Sequence, residues 1–246
     1  MFPIRDHNPS ERTPFVTYAI ILANVLVYLY QLSFADNQVA SNLFLRNWAL
    51  FPAAVTGGSE VHALFSHMFL HAGFMHLAGN MLFLWIFGDN LEDQMGHVGF
   101  LIFYLACGIA AAFGQILPDP GSTIPMVGAS GAIAGVMGGY LLLFPRARVD
   151  ILIIFIIFFR VFSIPAFVML GLWFAFQIMG GLGHSTEAGG VAYWAHAAGF
   201  AAGIVLTIPL WARRGAGGWW RETHGRPPHE ALQYNPANIP LVRRRK

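Results

Sequence analysis

Apolar residues along this chain come in long, nearly unbroken runs, not in the strict alternation of a half-buried strand or the narrow stripe of a surface helix. A helix needs about 20 mostly apolar residues to cross the hydrocarbon core of a bilayer. Runs near that length predict six helical spans, at 15–33, 72–89, 97–117, 127–144, 163–182 and 192–212. Turn chemistry marks their ends: Phe51-Pro52 and Gly57-Gly58 after the first, Pro118-Asp119-Pro120-Gly121 after the third, Phe144-Pro145 after the fourth. The stretch 149–162 is also apolar, but Arg160 and Pro165 interrupt it, so it is read as an interfacial or partly buried re-entrant segment. As a further helix it would give seven spans and carry the C-terminus across the membrane. The expected fold class is all-α, a polytopic membrane bundle of six transmembrane helices. Residues 1–14 form a cytoplasmic N-terminal segment, 15–212 one membrane domain and 213–246 a basic cytoplasmic tail.

Composition supports this division. With 56% apolar and only 11% charged residues in 246, the chain is too poor in charge for a soluble domain of its size. The lipid bilayer is the expected partner and nucleic acid is not. Residues 1–14 mix acids and bases and no small-residue cleavage site follows, so the first span is read as retained. Six spans put 13 of the 14 Lys and Arg residues on one side, with only Arg46 opposite, which predicts cytoplasmic termini. The tail lacks an apolar period and reads as a mobile extension, whose closing Arg243-Arg244-Arg245-Lys246 can meet anionic headgroups. Cys107 has no partner for a disulfide and reads as a small packing residue. No repeat or second domain is evident.

Three motifs carry candidate chemistry. The fourth span opens on Gly128-Ala129-Ser130-Gly131, followed by Gly135 and Gly139. The sixth carries His196, its only acidic or basic side chain, on a stripe of Ala195, Gly199 and Gly203. An ionisable group inside a span is costly and marks function, while small residues every four positions let helix backbones approach closely. Two such faces would bring a short serine side chain within about 3 Å of an imidazole. The second span holds His76 and Asn80 one turn apart on one face, both able to donate hydrogen bonds. Helix packing is an equally available role for either alone. Spans two, four and six run in one direction, so all four side chains fall at similar depth below the outer surface.

The runs from His71 to Asn80, Gly128 to Gly131 and Ala195 to Gly199 resemble, in order, the three signature segments of the rhomboid family, and the likeness extends over roughly 15–212. The resemblance implies an intramembrane serine protease. Ser130 would be the nucleophile and His196 its general base, with His76, Asn80 and the Ser130 backbone N–H as the oxyanion hole. Substrates would be single-pass membrane proteins, cut near the outer face of what is expected to be a bacterial cytoplasmic membrane. Some members have Trp-Arg where His62-Ala63 stand here, and an aromatic four residues after the serine where this chain has Ala134.

None of the twelve acidic residues falls in the interior of a predicted span, Asp89 standing at the very end of the second, so a Ser–His dyad is expected rather than a triad. Hydrolysis needs water, and His62, Ser66, His67, His71 and the loop 180–190 are candidates to line a wet cavity. The first loop and fifth span are candidate gates for a substrate entering sideways. Gln177 and Tyr140 are read as packing residues. Neither metal nor cofactor is called for: His62, His67, His71 and His76 lack carboxylate or cysteine partners, and no His-Glu-x-x-His occurs. The alternatives are a transporter, for which broken helices with in-membrane ion ligands are not apparent, and a non-proteolytic rhomboid-like protein that binds client transmembrane helices.

Overall fold

The computed structural model describes residues 2–155, 158–183 and 190–225. The main helices are α1 (Phe15–Leu32), α5 (Phe74–Met95), α6 (His97–Ile116), α7 (Ser130–Leu143), α8 (Ala166–Gly183) and α9 (Tyr193–Arg213). Between α1 and α5 the chain folds into three short helices, α2 (Gln38–Trp48), α3 (Pro52–Thr56) and α4 (Ala63–Ser66), the last running into a 3-10 turn at His67–Phe69. The Phe51-Pro52 turn signal is the start of α3, where a proline in the first turn gives up no helical hydrogen bond.

Among the described residues, four helices, α1, α6, α8 and α9, are long and apolar enough to cross a membrane, and α4 with its 3-10 turn and α5 form a fifth candidate bent by 95°. At 14 residues, α7 is only about 21 Å long, short of a hydrocarbon core of about 30 Å. It is nonetheless the hub, with eleven of its residues buried, whereas α8 buries only Ala166, Leu170 and Gln177. A polytopic helical bundle is therefore what the chain forms. Helix α5 runs six residues past its expected end at Asp89, which brings Glu92 and Asp93 into its last turns. Glu92 is fully buried and accepts from the Val16 and Thr17 backbone N–H groups and the Thr17 hydroxyl at 2.7–2.8 Å. It thereby caps α1, which has no cap of its own.

The all-α expectation fails at one end of the bundle. The stretch expected as a re-entrant segment is a hairpin of β2 (Arg148–Phe155) and β3 (Phe158–Pro165), completed by β1 (Phe2–Asp6) into an antiparallel sheet ordered β1-β2-β3. Its β-branched and aromatic residues pair their backbone across the hairpin instead of within a helix. Asp150 ties the sheet together: Ser163 donates to it from β3, and Arg5 and His7 reach it at 3.0 and 2.8 Å. The Ser163 hydroxyl first, then His7 and Arg5, hold its carboxyl down at about 2.

The expectation of a mobile tail from 213 onward also needs correction. Residues 217–223 form α10 (Gly217–Thr223), whose Trp220 indole N–H donates to the Leu142 carbonyl at 3.0 Å, while Arg214 lies over the Trp219 ring. The basic run 243–246 lies outside the described residues.

Tyr140 of α7 donates to Asp6 at 2.8 Å, fastening β1 to the hub. Burial, offset in part by that bond, raises the Asp6 carboxyl to about 7. A folded-state value above the unfolded one means the native protein binds a proton that the unfolded chain lacks, so this site loses stability as pH rises from about 4 to 7. The Asp150 contribution is lost only below that window. The apparent melting temperature should therefore fall between pH 5 and pH 8, and Asp6→Asn should flatten the trend. An unchanged slope in the variant would contradict this role for Asp6.

Candidate active site

Helices α7 and α9 meet backbone to backbone. A methyl group added at Gly199 would overlap the Gly131 carbonyl, and one at Gly203 the Gly135 carbonyl. The two predicted stripes are not simply face to face, however. The open sides of Gly131 and Gly135 turn toward α6, against Ala111 and the buried Cys107, and Gly138 is the residue that admits the Phe200 backbone. The hub is thus pinched from both sides, and small residues at two faces are what allow it. Ala195 is buried at the top of the α9 stripe, where its N–H donates to Gln115 Oε1 at 3.3 Å.

This approach carries Ser130, the first residue of α7, to His196 in the first turn of α9: Oγ and Nε2 are 2.7 Å apart. The other ring nitrogen, Nδ1, lies 2.9 Å from Gln177 Oε1 on α8. Trp173, one turn earlier on α8, packs against the imidazole with centroids 5.7 Å apart and planes 34° from parallel. The aromatic contact that Ala134 cannot make is supplied by a different helix, since Ala134 is itself fully buried in the core.

The segment before α7 is non-helical, and its polar groups are met by the first loop. Leu50 and Met126 exchange backbone hydrogen bonds, and the Gly128 N–H donates to the His67 carbonyl at 2.9 Å. Gly128 has φ +123, and a Cβ there would stand 2.7 Å from His76 Cε1. Glycine is required for the backbone and for the His76 ring alike. Asn80, one turn below His76 on α5, is buried and donates to His71 Nε2 at 2.9 Å. An amide carries two N–H groups, so this bond orients Asn80 and leaves it a second donor.

His76, Asn80, Ser130 and His196 line one cavity of about 1030 Å³, together with Trp173, Gln115, Gly181 and Gly190. Four side chains expected to wet that cavity are used elsewhere. His62 and Ser66 bond the Asn47 and Trp48 carbonyls at 2.6 and 2.7 Å, His67 is buried on the Ala63 carbonyl, and His71 holds Asn80. They anchor the first loop to α2 and to the site. Residues 184–189 of the loop 180–190 lie outside the described residues. Gln177, read from sequence as a packing residue, instead reaches the histidine. The available signal was that it is the only polar side chain in α8.

The rhomboid domain family matches residues 58–213, a stretch that contains all four of these side chains and the helices that present them. The chain belongs to the rhomboid family. Rhomboid protease AarA of Providencia stuartii is 32% identical over 136 residues, covering 49% of this chain and 48% of AarA. Rhomboid protease GluP of Bacillus subtilis (strain 168) is 32% identical over 128 residues, 52% of this chain and 24% of GluP. Rhomboid protein 1, mitochondrial, of Saccharomyces cerevisiae is 35% identical over 112 residues, 44% and 29% of the two chains. The chain thus matches less than half the length of each of these relatives. It is an integral membrane protein of a protease family, with the rhomboid fold.

Because α9 has no room beside Gly131, a side chain at Gly199 must push His196 away from Ser130. Gly199→Val should cut a Ser130-dependent reaction by about 10²-fold or more, since a misplacement near 1 Å already costs that much. A folded Gly199→Val protein that reacts at the wild-type rate would show that the close approach is not needed.

Proposed function

We propose that this chain is an intramembrane serine endopeptidase that cleaves membrane proteins in or near their transmembrane segments, with Ser130 as nucleophile and His196 as general base. The observation that carries this reading is the 2.7 Å contact of Ser130 Oγ with His196 Nε2 at the wall of a large cavity, between helices that touch at glycine. Serine is a weak nucleophile until a base takes its proton, and neutral imidazole suits that work near pH 7.

As Ser130 Oγ bonds to the scissile carbonyl carbon, its proton passes to His196 Nε2. The carbonyl oxygen becomes an oxyanion, and Asn80, His76 and the Ser130 backbone N–H are its proposed donors. Ser130 begins α7, so its N–H has no partner within the helix and lies at the positive end of the helix dipole. The C–N bond then breaks, His196 gives its proton to the leaving amine, and an acyl-enzyme remains on Ser130. Water, deprotonated by His196, hydrolyses that ester and restores both side chains. A scissile bond inside an intact helix has its carbonyl already engaged, so the substrate segment must unwind to react.

The proposed proteolytic unit is 15–212, counted as six spans: the five candidates plus short α7. Helix α7 needs no full span because its N-terminus opens below the outer surface into the cavity, where non-helical backbone is tolerated. The bias of positive residues to one side supports cytoplasmic ends for this chain, with the cavity toward the outer side.

Reconstituted protein should cleave a model single-pass substrate, and Ser130→Ala and His196→Ala should each abolish cleavage. Asn80→Ala should lower kcat by about 10- to 1000-fold, the usual loss for one oxyanion donor. Undiminished cleavage by Ser130→Ala would refute the assignment. A wild-type protein that binds the substrate without cutting it would favour the non-proteolytic alternative.

A further inference from the structure

Helix α8 offers only three buried residues, and one is an amide. The two ends of Gln177 are committed differently. Its Nε2 lies 3.2 Å from the Trp173 carbonyl one turn back, where only an N–H is favourable. That bond decides which way the amide faces, because the flipped amide would set two acceptor oxygens against each other. Oε1 therefore points at His196 Nδ1, 2.9 Å away.

A carbonyl oxygen can only accept a hydrogen bond. A neutral His196 facing it carries its proton on Nδ1 and keeps a lone pair on Nε2, the nitrogen 2.7 Å from Ser130 Oγ. In the other tautomer the Nδ1 lone pair would confront Oε1, and Nε2–H could not take the serine proton. Trp173 on the same helix fixes the ring plane. We infer that Gln177 is a positioning residue that selects the Nδ1–H tautomer of His196, the part an aspartate plays in soluble serine proteases. The amide does so without placing a charge within a membrane span, consistent with the lack of any carboxylate hydrogen-bonded to His196 among the described residues. This inference rests on the proposed Ser130–His196 dyad.

The test uses the full chain in liposomes with the model substrate. Gln177→Met keeps the side-chain length and removes the acceptor. It should lower kcat by about 10- to 100-fold with KM little changed, a part of the 10²–10⁴ that a correctly protonated base contributes. Imidazole 15N NMR should find the His196 proton on Nδ1 in the wild type and a shift toward Nε2–H in the variant. A wild-type imidazole protonated on Nε2 overturns the inference whether or not the variant folds, and so does a folded variant with wild-type kcat. Cleavage that survives Ser130→Ala overturns the dyad itself, whereas full activity of Gln177→Met alongside a dead Ser130→Ala removes only the role of Gln177.

Discussion

The contact between the backbones of α7 and α9 is the constraint on which the rest of the arrangement depends. Gly199 and Gly203 lie against the carbonyls of Gly131 and Gly135, and nothing larger than hydrogen fits between them. In lipid there is no hydrophobic gain from bringing helices together, so close van der Waals packing over small residues has to hold them. The same packing places a side chain with one rotatable heavy atom beside an imidazole on another helix. Helix α6 closes the opposite face of α7 through Ala111 and Cys107, so the hub cannot relax away from α9. Position and stability thus come from the same few residues.

Around this pair the protein handles polar groups in two ways. On the cavity side, His71 and Asn80, the Gly128 N–H and the His67 carbonyl, and Gln177 and His196 form bonded pairs that satisfy buried donors and orient those facing the cavity. At the far end, Glu92 caps α1, Asp150 holds the strands of a small sheet together, and Asp6 fastens that sheet to the bundle. Among the described residues, no hydrogen bond joins a carboxylate to Ser130 or His196. The base is then left to neutral partners, an amide on one nitrogen and a hydroxyl on the other.

Much of this was legible in the sequence, for identifiable reasons. A strict four-residue spacing of small residues announces close packing, and a lone histidine in an apolar run announces a special site. These two signals point to Ser130 and His196, which the fold sets 2.7 Å apart. The hairpin at 148–165 is not legible because a mostly apolar run, with Asp150, Arg160 and Ser163 too scattered to set a period, does not separate a strand from a buried segment. The partner strand β1 lies more than 140 residues away in sequence, so pairing could not be read locally. The first-loop histidines looked like cavity residues because loops carry polar side chains for many purposes, and only the fold shows the carbonyls of Asn47 and Ala63 waiting for them. Gln177 reads as a packing residue because a single amide in a span usually bonds a neighbouring helix. It does so here, but the neighbour is the candidate base.

Close packing of α7 and α9 brings His196 to Ser130, and His196 activates the hydroxyl. Mass spectrometry of the membrane-embedded protein after exposure to a fluorophosphonate tests it most directly. One covalent adduct is expected, on the peptide containing Ser130, and it is lost in His196→Ala. An unlabelled Ser130, or labelling that His196→Ala leaves undiminished, would contradict it.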